Sequence, residues 1–269
     1  MHKIIASNLR KLVKLKYALF FFDLRFKKMD IPTEMQHQAM GYDRAATMFS
    51  PDGHLLQVEY AEKTIRLGSA SIGIACKDGV VLIADRRIRD KLIAPQSANK
   101  IYEIDEHIVA TAAGILADAR ILIEQAQIMA QQNRITYGSP IEPISIIRTI
   151  ADKKQMFTQY GGARPFGVAI LLGGVCKGRV YLYSSDVTGN FFEYKANAIG
   201  ENDERIRELL RKDYDENITV DNGIKFAIKI FKEILGKNFE LDRFDVGYVK
   251  LNEGKLVRLH GEELKKFAK

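Results

Sequence analysis

The chain has 269 residues, 46% of them hydrophobic and 28% charged, so it can bury a sizeable core and is neither disordered nor collagen-like. Its formal charge of +7 suggests a nucleic-acid partner, but residues 1–34 hold eight Lys and Arg against three acids, and the other 235 residues carry only +2. The body of the chain therefore gives no electrostatic case for binding nucleic acid.

Residues 1–34 mix basic and apolar side chains. The apolar run from Tyr17 to Phe22 is too short to span a membrane and is followed by no small-residue cleavage site, which argues against an anchor or a signal peptide. Two readings are left: a basic amphipathic surface helix, or sequence upstream of a true start at Met35. The second is the stronger.

Next comes YDRAATMFSPDGHLLQVEYA, residues 42–61. Residues 42–49 lack any period and read as an extended arm. Ser50-Pro51-Asp52-Gly53 is a turn in which Pro51 presets φ at the second position and Asp52-Gly53 tolerate unusual dihedrals. Leu55, Val58, Ala61 and Ile65 then form one apolar stripe on a helix over 54–66. A helix this short is marginal alone, so it has to pack on something else.

Residues 69–76 predict a strand with small side chains on one face, Lys77-Asp78-Gly79 a hairpin turn, and residues 80–84 a strand covered on both faces. Two more strands follow at 101–104 and 107–112. From Ile115 the period changes: Ile115, Ala119, Leu122, Ala126 and Met129 lie on the wide apolar face of a long helix. A second helix carries Ile144, Ile147, Ala151 and Phe157. Strands return at 166–172, 180–184 and 191–194, then helices at 203–212 and 220–235, with Thr219 or Asp221 as cap. A strand at 245–251 and a helix from Gly261 close the chain. Strands grouped with strands imply antiparallel pairing, and two helix pairs imply two covering layers. The expected architecture is a four-layer αββα sandwich forming one domain over 35–269: arm and turn at 35–53, helix at 54–66 and sandwich at 69–269.

Familiar catalytic patterns are missing. The five histidines include no HExxH, and no glycine-rich stretch matches a phosphate or dinucleotide loop or a GxSxG elbow. Neither a metal nor a cofactor is expected. Arg164, following Gly161-Gly162, is a turn anchor in preference to an anion ligand. Cys76 and Cys176 stand far apart and read as two thiols in preference to a disulfide.

YDRAATMFSPDGHLLQVEYA, DGVVLIADRR, GILADARILI and TQYGGARPFGV together resemble the α-type subunits of the 20S proteasome, above all the archaeal kind, over residues 35–269. The resemblance implies the N-terminal nucleophile hydrolase sandwich and a cytoplasmic protein. It also implies a heptameric ring of α subunits stacked on proteasome β subunits, admitting unfolded protein substrates. Carried over residue by residue, Tyr42, Asp43, Pro51 and Tyr60 hold the gate arm open, with Arg44 in the same arm. Lys100, Gly114 and Ile115 line the pocket that receives the C-terminal tail of an ATPase activator, although leucine is more usual at Ile115. In the sister β subunits an N-terminal threonine is the nucleophile. Here the junction is Gly68-Ser69, so Ser69, Asp85 and Asp221 read as vestiges, with Lys100 doubling at the hydrolase lysine position and Glu201 standing where a supporting serine is expected. The chain alone should not hydrolyse peptides. The competing readings are a hydrolase in its own right and a ring former without β partners.

Overall fold

Strands that are apolar on both faces must be covered on both sides, and the computed structural model, which describes residues 40–87 and 92–267, does this with two antiparallel sheets. The chain divides into two units, Met1–Asp43 and Arg44–Lys269. The sandwich belongs to the second. The division falls inside the segment read as the gate arm, and the expectation for residues 1–34 lies outside the described residues.

The first sheet runs β10-β9-β2-β1-β8, from β1 (Ser71–Cys76), β2 (Gly79–Asp85), β8 (Ala196–Ile199), β9 (Phe244–Lys250) and β10 (Leu256–Leu259). The second runs β3-β4-β5-β6-β7, from β3 (Tyr102–Asp105), β4 (Ile108–Gly114), β5 (Val168–Cys176), β6 (Arg179–Ser185) and β7 (Phe191–Glu193). Between the sheets Val80, Leu82, Val109, Leu171 and Leu182 make a dry layer. Helices α2 (Leu116–Tyr137) and α3 (Pro143–Gln159) lay Leu122, Ile146 and Ile147 on the second sheet. Helices α4 (Asp203–Asp213) and α5 (Val220–Leu235) lay Ile206, Ile224, Ile228 and Phe231 on the first. This is the four-layer αββα sandwich that the periodicities required.

Helix α1 (Leu56–Leu67) answers the packing question that its length raised. Val58, Ala61 and Ile65 join the cluster between the sheets, so the helix closes one end of the sandwich. Sequence reasoning did not anticipate β8 and β10, the two edges of the first sheet. The closing segment Gly261–Lys266 is a 3-10 helix. No helix among the described residues is long and apolar enough to cross a membrane.

Candidate functional site

The site begins where α1 ends. Gly68 lets three backbone segments meet: a Cβ there would sit 2.3 Å from the Gly114 nitrogen, and one on Gly114 (φ +114) would sit 2.2 Å from the Gly167 carbonyl oxygen. Only glycine fits such approaches. The Ile115 N–H donates to Gly167 O at 2.9 Å, and the Thr64 hydroxyl, which has Ala61 O at 2.7 Å, lies 3.0 Å from the same oxygen, so the helix end sits against the strand ends.

Beyond Gly68, the Ser69 hydroxyl donates to Asp85 O (2.7 Å), and Lys100 Nζ donates to Ser69 Oγ (2.8 Å) and Ser69 O (2.9 Å). Lys100 is 2% exposed whereas Ser69 is half-buried. Burial is the main influence on the ammonium and pushes its pKa down to about 8; Asp85 and Asp245 oppose the shift and Arg87 adds to it. The Asp85 carboxylate is held by Arg243 (Nη2 2.7 Å, Nε 3.2 Å) and by the Arg87 N–H (3.0 Å). Arg87 adopts a left-handed backbone (φ 44) and reaches Glu201 with its guanidinium. Glu201 in turn donates its N–H to Gly68 O at 2.8 Å. Asp245, wholly buried, accepts from the Lys100 N–H (3.0 Å) and lies 3.1 Å from Arg86 Nε and 2.9 Å from His260 Nδ1. A buried carboxylate demands such pairing.

Ser69, Asp85, Lys100, Glu201, Gly114 and Ile115 therefore gather around one junction. Asp221 does not. It is exposed on the first turn of α5, beside Val220, whose N–H donates to the Asp78 carboxylate in the β1–β2 turn. That turn lies at the far end of β1, roughly 17 Å from Ser71 at about 3.3 Å per residue, so Asp221 is no part of this cluster. At that far end a cavity of about 670 Å³ is bordered by His107, Arg134, Ile141 and Cys176, and by none of the residues named above.

The turn at residues 50–53 is closed as its chemistry requires, with Gly53 N–H donating to Ser50 O (2.9 Å) and Gly53 at φ +82. Ser50 Oγ accepts from the His54 N–H at 3.1 Å. Pro51 is exposed, and Tyr60 is half-buried with Lys63 Nζ 5.3 Å over its ring. Tyr42–Arg44 form a single 3-10 turn. Arg164 is the anchor expected of it, bidentate to Asp118 at 2.6 and 2.7 Å. Burial works to raise the Asp118 carboxyl, but the bonds from Arg164 and the Gly167 N–H prevail and hold it below the ordinary value. Cys76 is a buried free thiol pushed up to about 12 by burial, and Cys176 is also free. Among the described residues no three His, Cys, Asp or Glu converge to hold a metal ion.

Sequence reasoning missed Arg87, Arg243, Asp245 and His260. Their one local sign was an acid at the start of an otherwise apolar strand.

The sequence has counterparts in known proteins. The family model for proteasome subunits matches residues 65–249, and that for the N-terminal signature of proteasome A subunits matches residues 42–63. "Proteasome subunit alpha" of Methanococcus maripaludis strain C7 is 46% identical over 232 residues, covering 86% of this chain and 89% of the relative. The protein of the same name from Archaeoglobus fulgidus is 45% identical over 233 residues, covering 85% and 92%. That from Pyrococcus abyssi is 43% identical over 227 residues, covering 84% and 86%. The chain belongs to the proteasome α-subunit family.

Proposed function

We propose that this chain is a non-catalytic α subunit that forms the heptameric outer ring of a 20S proteasome in the cytoplasm, gates entry to the β-subunit chamber and docks an ATPase activator. The observation that carries the reading is the packing of α1, the helix that runs up to Ser69, into the core. A nucleophile of this hydrolase class needs a free amine at its own residue. Here the preceding residues form α1, whose Val58, Ala61 and Ile65 are part of the core, so exposing Ser69 as an N-terminus would remove an element of the fold.

The gate follows from the same helix. A mobile arm needs a fixed pivot, and the closed Ser50–His54 turn in front of α1 supplies one. On this reading Tyr42, Asp43, Pro51 and Tyr60, with Arg44, hold the arm in its open state. Lys100, Gly114 and Ile115 receive the activator's terminal carboxylate, for which an ammonium is a natural point-charge partner. Assembly with other subunits is supported by Ile121, Ile128 and Ile135, exposed at 42%, 58% and 84% on α2 and spaced by one heptad, a stripe on one helix face.

The test is to purify the chain alone and with its β subunits, and to follow particle size and peptide hydrolysis. The expected result is a ring without peptidase activity from the chain alone and an active stacked particle from the mixture. Hydrolysis by the chain alone would overturn the reading.

A further inference from the structure

Resting on that reading of Lys100, we propose that Ser69 is a positioning residue of the docking site, its two oxygens holding the Lys100 ammonium so that the remaining N–H faces the incoming C-terminal carboxylate. Ser69 thus has a task of its own at the position where a sister subunit carries its nucleophile.

Three observations carry this. A lysine ammonium has three donors, and Ser69 takes two of them, one on its hydroxyl oxygen and one on its carbonyl. The hydroxyl is itself oriented, because its hydrogen is committed to Asp85 O at 2.7 Å and a lone pair is thereby turned toward Nζ. The surrounding charges are engaged elsewhere. Asp85, at the end of β2, is held by Arg243 and Arg87; Asp245, on β9, pairs with Arg86 and His260; and Glu201, after β8, pairs with Arg87. Among the described residues the Lys100 ammonium makes no ion pair; Asp85 and Asp245 act on it only through space and are themselves bonded to arginines, so a carboxylate arriving past half-buried Ser69 meets a cation with no carboxylate in contact.

A pH signature follows. Docking requires the charged lysine, and burial has brought its pKa down to about 8, so binding is full below that pH and fades above it. Removing the Ser69 hydroxyl takes away a bond that favours the charged form. The alkaline limit must therefore move to lower pH in Ser69→Ala.

The experiment uses the assembled particle and a short fluorescein-labelled peptide with the C-terminal sequence of the organism's proteasomal ATPase, with a free or an amidated C-terminus, read by anisotropy from pH 6.5 to 9.5. Ser69→Ala should weaken the free-carboxylate peptide about fivefold to tenfold at pH 7, the scale of one ordinary hydrogen bond, and shift the alkaline limit downward. Ser69→Thr, which keeps the hydroxyl, should restore both. Ser69→Cys, a weaker acceptor, should fall between and serves as the loss variant if the alanine form fails to assemble. Wild-type affinity and pH profile in the alanine or cysteine particle would overturn the role of Ser69 while leaving docking intact. Equal binding of free and amidated peptides, or an unaffected Lys100→Ala particle, would instead overturn the docking reading and this inference with it.

Discussion

Two buried lysines, in different layers of the sandwich, divide the account between them. Lys100 and Lys154 are 2% and 0% exposed, and each ends on a serine hydroxyl and a carbonyl. Lys154, on α3, donates to Ser185 O and Oγ at 3.2 Å and to Asp186 O at 3.0 Å, tying the helix layer to the β6–β7 turn. That turn is fully built: Asp186 Oδ1 accepts from Thr188 Oγ1 and the Asn190 N–H, and a Cβ on Gly189 would sit 2.4 Å from Ala151 O. Lys100 has Asp85 and Asp245 close by and three arginines around them, whereas Lys154 has only the Asp186 charge to offset its burial. Desolvation accordingly pushes Lys154 further down, to about 7. The same residue type with the same serine partner is a structural staple in one place and, on the proposed function, a charged receptor in the other. What separates them is the surrounding network and the partial exposure of Ser69, against the fully buried Ser185.

The largest test of this contrast strikes the network. Asp245→Ala should destabilise the isolated subunit by about 3–5 kcal/mol in urea unfolding, because it removes the buried carboxylate that faces Arg86, His260 and the Lys100 N–H. A loss below about 1 kcal/mol would mean that the network does not balance the charges at this end. A smaller effect is expected from Lys154→Met. The folded pKa of Lys154 lies below its ordinary 10.5, so between about 7 and 10.5 the unfolded chain binds the extra proton, and stability rises with pH across that window. The cost of burying Lys154 is thus complete below about pH 7. Methionine removes this cost together with the three bonds of Lys154, so the melting temperature of Lys154→Met relative to the wild type should be higher at pH 7 than at pH 10. An identical shift at both pH values would contradict this assignment. Smallest is Ser185→Ala, which removes one of three bonds to Lys154 and should cost about 1 kcal/mol, with no effect on peptide docking. If it impaired docking as Ser69→Ala is expected to, the two lysines would not be separable in function.

How far the sequence carries depends on how local each signal is. Helix α5 was legible to the residue, from Val220 to Leu235, because Ile224, Ile228, Phe231 and Leu235 keep one period and Thr219 caps the start by accepting from the Asn222 N–H. Strand β8 was not, since Ala196-Asn197-Ala198-Ile199 is short and small and packs by tertiary contact with β1. Strand β10 is a half-exposed edge beyond a turn and carries no alternating pattern. In the site, Ser69, Asp85, Lys100 and Glu201 were legible through resemblance, and the fold brings them together. Asp221 was misplaced because a carboxylate at a helix start is equally a feature of the first turn, where a negative charge suits the macrodipole. The partners that hold the carboxylates of the site could not be read in advance, because Asp245 meets Lys100 across 145 positions and Arg243 meets Asp85 across 158.

On the proposed function, α1 and the arm before it serve entry and not hydrolysis. The most direct measurement is peptide turnover by the assembled α–β particle with and without residues up to Thr47. Turnover is expected to be faster when the arm is removed, with Ser69 and the rest of the sandwich unchanged. Equal turnover by the two particles would contradict it.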